Sequence, residues 1–134
     1  MKVRAMYTPN ILSAGANEDL AEVAARMHFH EVGALLVFRH GILQGIITER
    51  DLMCAVADGV DPATATVDRY MTRDPVTVTP DTEDTAAAAL MLQLGVRHLP
   101  VMEGGQVVGM LSARDLLADL SWEAEPHKEE VLTP

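Results

Sequence analysis

The chain repeats itself at a fixed offset, and that repeat constrains its fold more than any other feature. Displaced by 64 residues without a gap, Ala24-Ala25 falls on Ala88-Ala89, Met27 on Met91, Val32 on Val96, Leu35 on Leu99 and Val37 on Val101. Gly41 falls on Gly105, Gly45 on Gly109, and Arg50-Asp51-Leu52 on Arg114-Asp115-Leu116. Coincidences this dense mark two copies of one structural unit. The copies are assigned to residues 1–60 and 61–120, followed by an acidic tail over 121–134. A unit of about 60 residues buries too little surface to be comfortable alone. Two packed copies solve that, and approximate two-fold pairing creates clefts between them.

Each copy reads the same way. Asn17 and Asp81 are expected helix N-caps, with acidic first turns after them. Leu20, Val23, Ala24 and Met27 lie at i, i+3, i+4 and i+7, one apolar helical face; Ala87, Ala88, Met91 and Leu94 make that face in the second copy, with Gly95 as C-cap. Two short apolar runs follow, Leu35 to Phe38 and Leu43 to Thr48, around His40-Gly41. Their counterparts are Leu99 to Met102 and Val107 to Leu111, around Gly104-Gly105. These are β-hairpin patterns. Second helices are expected over Glu49 to Ala57 and Ala113 to Leu120. A β-prone stretch precedes each first helix, weak at Ile11-Leu12 and clearer at Val76-Thr77-Val78. Residues 59–66, with Asp61-Pro62, read as a linker. The fold class is α/β: two β-α-β-β-α repeats with pseudo-two-fold symmetry.

Composition narrows the function classes. Aromatic residues make up 4% of the chain, so the core must be Ala, Val, Leu, Ile and Met. The net charge of −10 removes the basic footprint that a nucleic-acid binder needs. One cysteine, Cys54, allows neither an intrachain disulfide nor a cysteine-rich zinc site. The uncharged run from Thr85 to Val96 is far short of a membrane span. The expectation is a soluble cytoplasmic protein without a membrane partner. No nucleophile elbow, P-loop or zincin motif is present, so no enzymatic activity is expected.

The hairpin-to-helix junctions carry the chemistry. They read Gly45-Ile46-Ile47-Thr48-Glu49-Arg50-Asp51 and Gly109-Met110-Leu111-Ser112-Ala113-Arg114-Asp115. On its own, Thr48-x-x-Asp51 or Ser112-x-x-Asp115 is a capping box with Asp in place of Glu. Together with Arg97-His98-Leu99-Pro100-Val101 and Met71-Thr72-Arg73-Asp74-Pro75-Val76, the junctions closely resemble the tandem CBS domain, or Bateman module, over about residues 6 to 120. The first copy lacks the Pro-Val-Thr-Val pattern at its N-terminal stretch.

The resemblance implies a regulatory sensor. Such pairs bind adenosine-containing ligands (AMP, ADP or ATP) in the clefts between the repeats, with no catalytic cofactor. It implies that Asp51 and Asp115 hold ribose, with Thr48 and Ser112 beside them. Ile46 and Met110 flank adenine. Thr72 and Val76 border the Asp51 site, residues 7–12 border the Asp115 site, and Pro100 lies in the matching strand. Arg97 and His98 suit a phosphate, and the equivalent Gly33-Ala34 brings no charge. The Asp115 site is thus expected to prefer a phosphorylated ligand. Arg50 and Arg114 are further anion candidates, or partners of acidic neighbours. A homodimer and an unidentified effector protein are the implied partners. The competing reading is a degenerate pair acting as a ligand-independent scaffold.

Other residues have plainer readings. His28 and His30 do not share a helical face, so they read as a C-terminal turn rather than a metal site. Cys54 is expected to be a buried structural thiol. Trp122 is a candidate anchor for the tail.

Overall fold

A computed structural model describes residues 1–9 and 11–124, with side chains through Asp119. The order is a 3-10 turn (Val3–Ala5), β1 (Ser13–Gly15), α1 (Leu20–His30), β2 (Ala34–Arg39), β3 (Ile42–Thr48), α2 (Glu49–Ala57), α3 (Val67–Tyr70), β4 (Thr72–Arg73), α4 (Asp84–Leu94), β5 (His98–Glu103), β6 (Gln106–Ser112) and α5 (Ala113–Ala124). The chain is α/β, with two repeats of strands and helices. The side chain of Trp122, and the tail beyond Ala124, lie outside the described residues.

The described residues form two compact units, one of residues 11–76, the other of 1–9 joined to 77–124. In the first unit, β1 pairs parallel with β2, β2 antiparallel with β3, and β3 antiparallel with β4. Its core joins Leu20, Val23 and Met27 of α1 to Leu35 and Val37 of β2, Ile47 of β3 and Ala55 of α2. In the second unit, β5 and β6 form the hairpin. Val3, Val78, Ala87, Met91, Leu99, Val101 and Leu111 form its core.

The pairing registers of the two units match at the 64-residue offset. Ala14 pairs parallel with Val37, and Val78 pairs parallel with Val101. Thr72 pairs with Ile46, and Thr8 with Met110. Each hairpin carries one extra residue at the same place, Gln44 in β3 opposite the Val37–Phe38 step and Val108 in β6 opposite the Val101–Met102 step. Hence the segment opening each sequence copy completes the sheet of the other copy's hairpin. Residues 1–9 serve β6, and residues 65–73 serve β3.

This exchange explains why Gly45 and Gly109 recur. A Cβ on Gly45 would lie 2.5 Å from the Thr72 carbonyl oxygen and 2.9 Å from Met71 Sδ. One on Gly109 would collide with the Thr8 carbonyl and the Tyr7 ring, with Cε2 at 2.6 Å. Only glycine admits a backbone that close.

Several expectations need correction. The helix caps are Asp19, which accepts the Glu22 N–H at 2.9 Å, and Glu83, whose side chain makes no cap bond. Tight turns, Glu18 N–H to Gly15 O and Thr82 N–H to Thr79 O, hold Asn17 and Asp81 outside the helices. Val76 to Val78 forms no strand beyond the Val78–Val101 bridge, and the linker region runs into α3. Leu94, in the last turn before Gly95 leaves in the left-handed region, is exposed. Cys54 is exposed as well. The buried residue of α2 is Ala55, and one residue along a helix turns the side chain about 100° away.

Candidate functional site

Both strand-to-helix junctions are reciprocal capping boxes. At the first, the Thr48 N–H donates to Asp51 Oδ2 at 2.8 Å, and the Asp51 N–H donates to Thr48 Oγ1 at 3.3 Å. The Thr48 hydroxyl also donates to Asp51 Oδ2 at 3.1 Å. At the second, the Ser112 N–H donates to Asp115 Oδ2 at 2.9 Å, and the Asp115 N–H to Ser112 Oγ at 3.1 Å. Each junction is tied back to its hairpin. Glu49 N–H donates to Gly33 O at 3.0 Å, and Ala113 N–H to Arg97 O at 2.8 Å.

The caps leave acceptor capacity unused. Among the described residues, every bond to either carboxylate falls on Oδ2. A carboxylate oxygen has two lone pairs, so Oδ1 of Asp51 and of Asp115 can each accept from two hydroxyls. Both residues are half-buried in the first turn of a helix, and no buried side-chain oxygen among the described residues lacks a partner, so these oxygens keep some exposed surface. Burial pushes the Asp51 carboxyl above its ordinary value, against the opposing pull of the Thr48 bonds and the Arg50 charge.

The structure divides the sequence-chosen residues between the two units. Ile46, Thr48, Arg50, Asp51, Thr72 and Val76 fall in the first. Thr72 pairs with Ile46 two residues from Thr48, while Val76 is exposed outside any strand. Arg97, His98, Pro100, Met110, Ser112, Arg114 and Asp115 fall in the second. His98 stands opposite Ser112 and Pro100 opposite Met110 in the antiparallel ladder. Directly opposed residues present their side chains on one face within about 5 Å. The first unit has Ala34 opposite Thr48. Ile46 and Pro100 are buried, whereas Met110 keeps more exposed surface.

Charge separates the junctions. Ion pairs among the described arginines engage Arg4, Arg26 and Arg39, and not Arg50, Arg97 or Arg114. The last three are exposed. Arg50 acts on the neighbouring Asp51 through its charge, and neither Arg50 nor Arg114 makes a close ion pair among the described residues. The second junction therefore has Arg97 and His98 at its strand entry, where the first has Gly33 and Ala34. Gly45 and Gly109, marked by the repeat and by the junction motif, admit β4 and the Thr8 bridge respectively. Sequence reasoning passed over one supporting feature. The Glu18–Arg26 pair, joined at 2.6 Å and 3.0 Å, ties α1 to the turn after β1. Among the described residues, no group of three or more His, Cys, Asp or Glu could hold a metal ion, and no helix is long and apolar enough to cross a membrane.

Two α/β units built on one pattern, each closing its hairpin on a capped carboxylate, define a tandem-repeat module. The sequence matches the CBS domain twice, over residues 3–58 and 67–121, and the chain belongs to the CBS domain family. It is 39% identical over 118 residues to an uncharacterised 17.7 kDa protein of Acidianus ambivalens, covering 86% of this chain and 70% of that one. It is 31% identical over 115 residues to the CBS domain-containing protein YhcV of Bacillus subtilis, covering 85% and 81%. A solved CBS domain pair, that of protein MJ0100 in complex with 5′-methylthioadenosine and S-adenosyl-L-methionine, is 25% identical with a TM-score of 0.84, covering 92% of this chain and 98% of that one.

Proposed function

We propose that the chain is a regulatory sensor that binds an adenosine-containing nucleotide (AMP, ADP or ATP) and has no catalytic activity of its own. The observation that carries this reading is the pair of open carboxylate oxygens, Oδ1 of Asp51 and of Asp115, on capped junctions. A vicinal diol matches an oxygen with two lone pairs. The solved relative with two adenosine compounds supports the same chemical class of ligand.

The junction at Asp115 takes the phosphorylated ligand, because Arg97 and His98 stand beside it and Arg114 is exposed on the adjoining helix turn. The Asp51 junction takes a less charged ligand or the same one more weakly. Met110 and Ile46 line the adenine. The molecule works as a cytoplasmic homodimer, and its output passes to a separate effector protein. Binding must favour one arrangement of the protein over another to carry a signal.

A second reading has one observation in its favour. The Thr48–Asp51 and Ser112–Asp115 boxes satisfy their own cap bonds, so the motif has a structural reason to exist without a ligand. Thermal unfolding against a panel of adenosine compounds separates the two. A ligand that binds only the native state raises the melting temperature by mass action. The sensor reading expects a rise with a phosphorylated adenosine that Asp115→Ala abolishes. No rise with any compound at millimolar concentration would leave the scaffold.

A further inference from the structure

The two exchanged segments are equivalent in register but unequal in how they are held. Residues 65–73 bury three side chains in their unit: Ala65, Val67 and Met71. Residues 1–9 bury one, Val3. Both segments share the same backbone bonds, Val3 N–H to Thr82 O and Arg4 N–H to Pro80 O in one, Val67 N–H to Glu18 O and Asp68 N–H to Ala16 O in the other. Met6 and Tyr7 add partly buried contacts, and what distinguishes residues 1–9 is a cluster of ion pairs. Arg4 Nη2 lies 3.0 Å from Asp81 Oδ1 and 3.7 Å from Glu103 Oε2, and Lys2 Nζ lies 3.7 Å from Asp81. The Met1 ammonium lies 3.3 Å from both Glu83 Oε2 and Asp84 Oδ1, so the surface beneath carries Asp81, Glu83, Asp84 and Glu103 against the Met1 ammonium, Lys2 and Arg4. All the side chains in the Lys2 and Arg4 pairs are more than half exposed. Among the described residues the counterpart segment has a single ion pair to its unit, Arg39–Asp68 at 3.6 Å. Exposed pairs contribute little individually and are screened by salt.

We propose that residues 1–9 form an ionic latch that opens and closes on β6, and that its closure is coupled to occupancy of the Asp115 junction. The latch closes with a reciprocal pair of bonds: Thr8 N–H to Met110 O and Met110 N–H to Thr8 O, both 3.0 Å. Met110 stands two residues before Ser112 on the same strand. A ligand resting on Met110 therefore stabilises the closed strand, and opening the strand removes a wall of the site. Raised ionic strength opens the latch in the second unit and leaves the first unit's β3–β4 pair closed. The coupling rests on the ligand reading above; the salt response does not.

Amide hydrogen exchange on the full chain tests both. In about 0.5 M salt, exchange at Thr8 and Met110 is expected to rise about threefold to tenfold, with Ile46 unchanged as the internal control. Arg4→Ala at low salt should reproduce the rise, and this exposed substitution leaves the core intact. Exchange at Met110 that ignores both salt and Arg4→Ala overturns the latch. Adenosine, an uncharged probe whose own binding is little affected by salt, is expected to restore Met110 protection. Adenosine that perturbs Ser112 while Met110 stays open overturns the coupling. Adenosine that binds nowhere sinks the ligand reading and the coupling with it, and the salt arm still decides the latch.

Discussion

The first unit and the second unit solve one folding problem with different materials. At the turn before the helix, the first uses Glu18, which accepts the Gly15 N–H at 2.7 Å and a forked pair from Arg26. The second uses Thr82, whose hydroxyl accepts the Thr79 N–H at 3.0 Å, and has Leu90 where Arg26 stands. At the strand entry the first has Gly33-Ala34 and the second Arg97-His98. The backbone pattern tolerates either set, so these positions are free to vary. The glycine before each junction and the Asp after it are not, because one admits the exchanged strand and the other closes the cap.

Substitutions at the shared positions should hit hardest. Gly45→Ala forces a methyl into the Thr72 carbonyl and the Met71 side chain, and is expected to destabilise the protein by about 3 kcal/mol in urea unfolding. Gly109→Ala meets the Thr8 carbonyl more closely, but can relieve the clash by releasing residues 1–9. Its cost should be smaller, and it should appear as faster exchange at Thr8. Equal costs with no release would break the comparison.

Arg26→Ala comes next. It removes a partly buried forked pair, 30% and 28% exposed, at an expected cost of about 1–2 kcal/mol. The Arg26 guanidinium holds the Glu18 carboxyl below its ordinary value. That contribution is present above the unfolded value of Glu18 and is lost as pH falls through its folded value. Acid unfolding curves of the wild type and Arg26→Ala should therefore converge at low pH.

Asp51 has the opposite sign. Burial raises its carboxyl in the folded chain. Its contribution is fully present below the unfolded value and is lost as pH rises through the raised folded value. Asp51→Asn keeps an acceptor for the Thr48 N–H and removes the buried charge. At pH 7 it should cost less than about 1 kcal/mol, or stabilise the ligand-free protein. Its advantage over wild type should disappear as pH falls through the carboxylate range. A large loss at pH 7 would mean that the charge itself holds the cap.

The smallest effect on stability belongs to Arg97→Ala. Arg97 is exposed and makes no ion pair among the described residues, so stability should stay within about 0.5 kcal/mol. Affinity for AMP should fall while affinity for adenosine does not, measured by calorimetric titration.

Much of this was legible in sequence because repetition doubled every weak signal. The hairpins, α2 and the junction motif each occur twice in register, and α2 is found at its expected bounds, Glu49–Ala57. The resemblance also put Thr72 near the first junction and residues 7–12 near the second; Thr72 pairs with Ile46 and Thr8 with Met110, whereas residues 11–12 fall in the first unit. The exchanged strands themselves were hidden, since two residues of β4 and the single Thr8 bridge carry no periodicity. The helix caps were misplaced by two residues because Asn17 and Asp81 are good cap types held in turns instead. Cys54 was misread because Leu52 and Val56 suggested an apolar side that α2 presents to solvent at Val56.

The central claim is that the two junctions are alike in frame and unlike in charge. Titrating AMP while following the backbone amide resonances of Ser112 and Thr48 tests it most directly. The expected result is that Ser112 shifts first, at lower AMP concentration, and Thr48 later or not at all. Thr48 responding first, or neither amide responding while the protein stays folded, would contradict it.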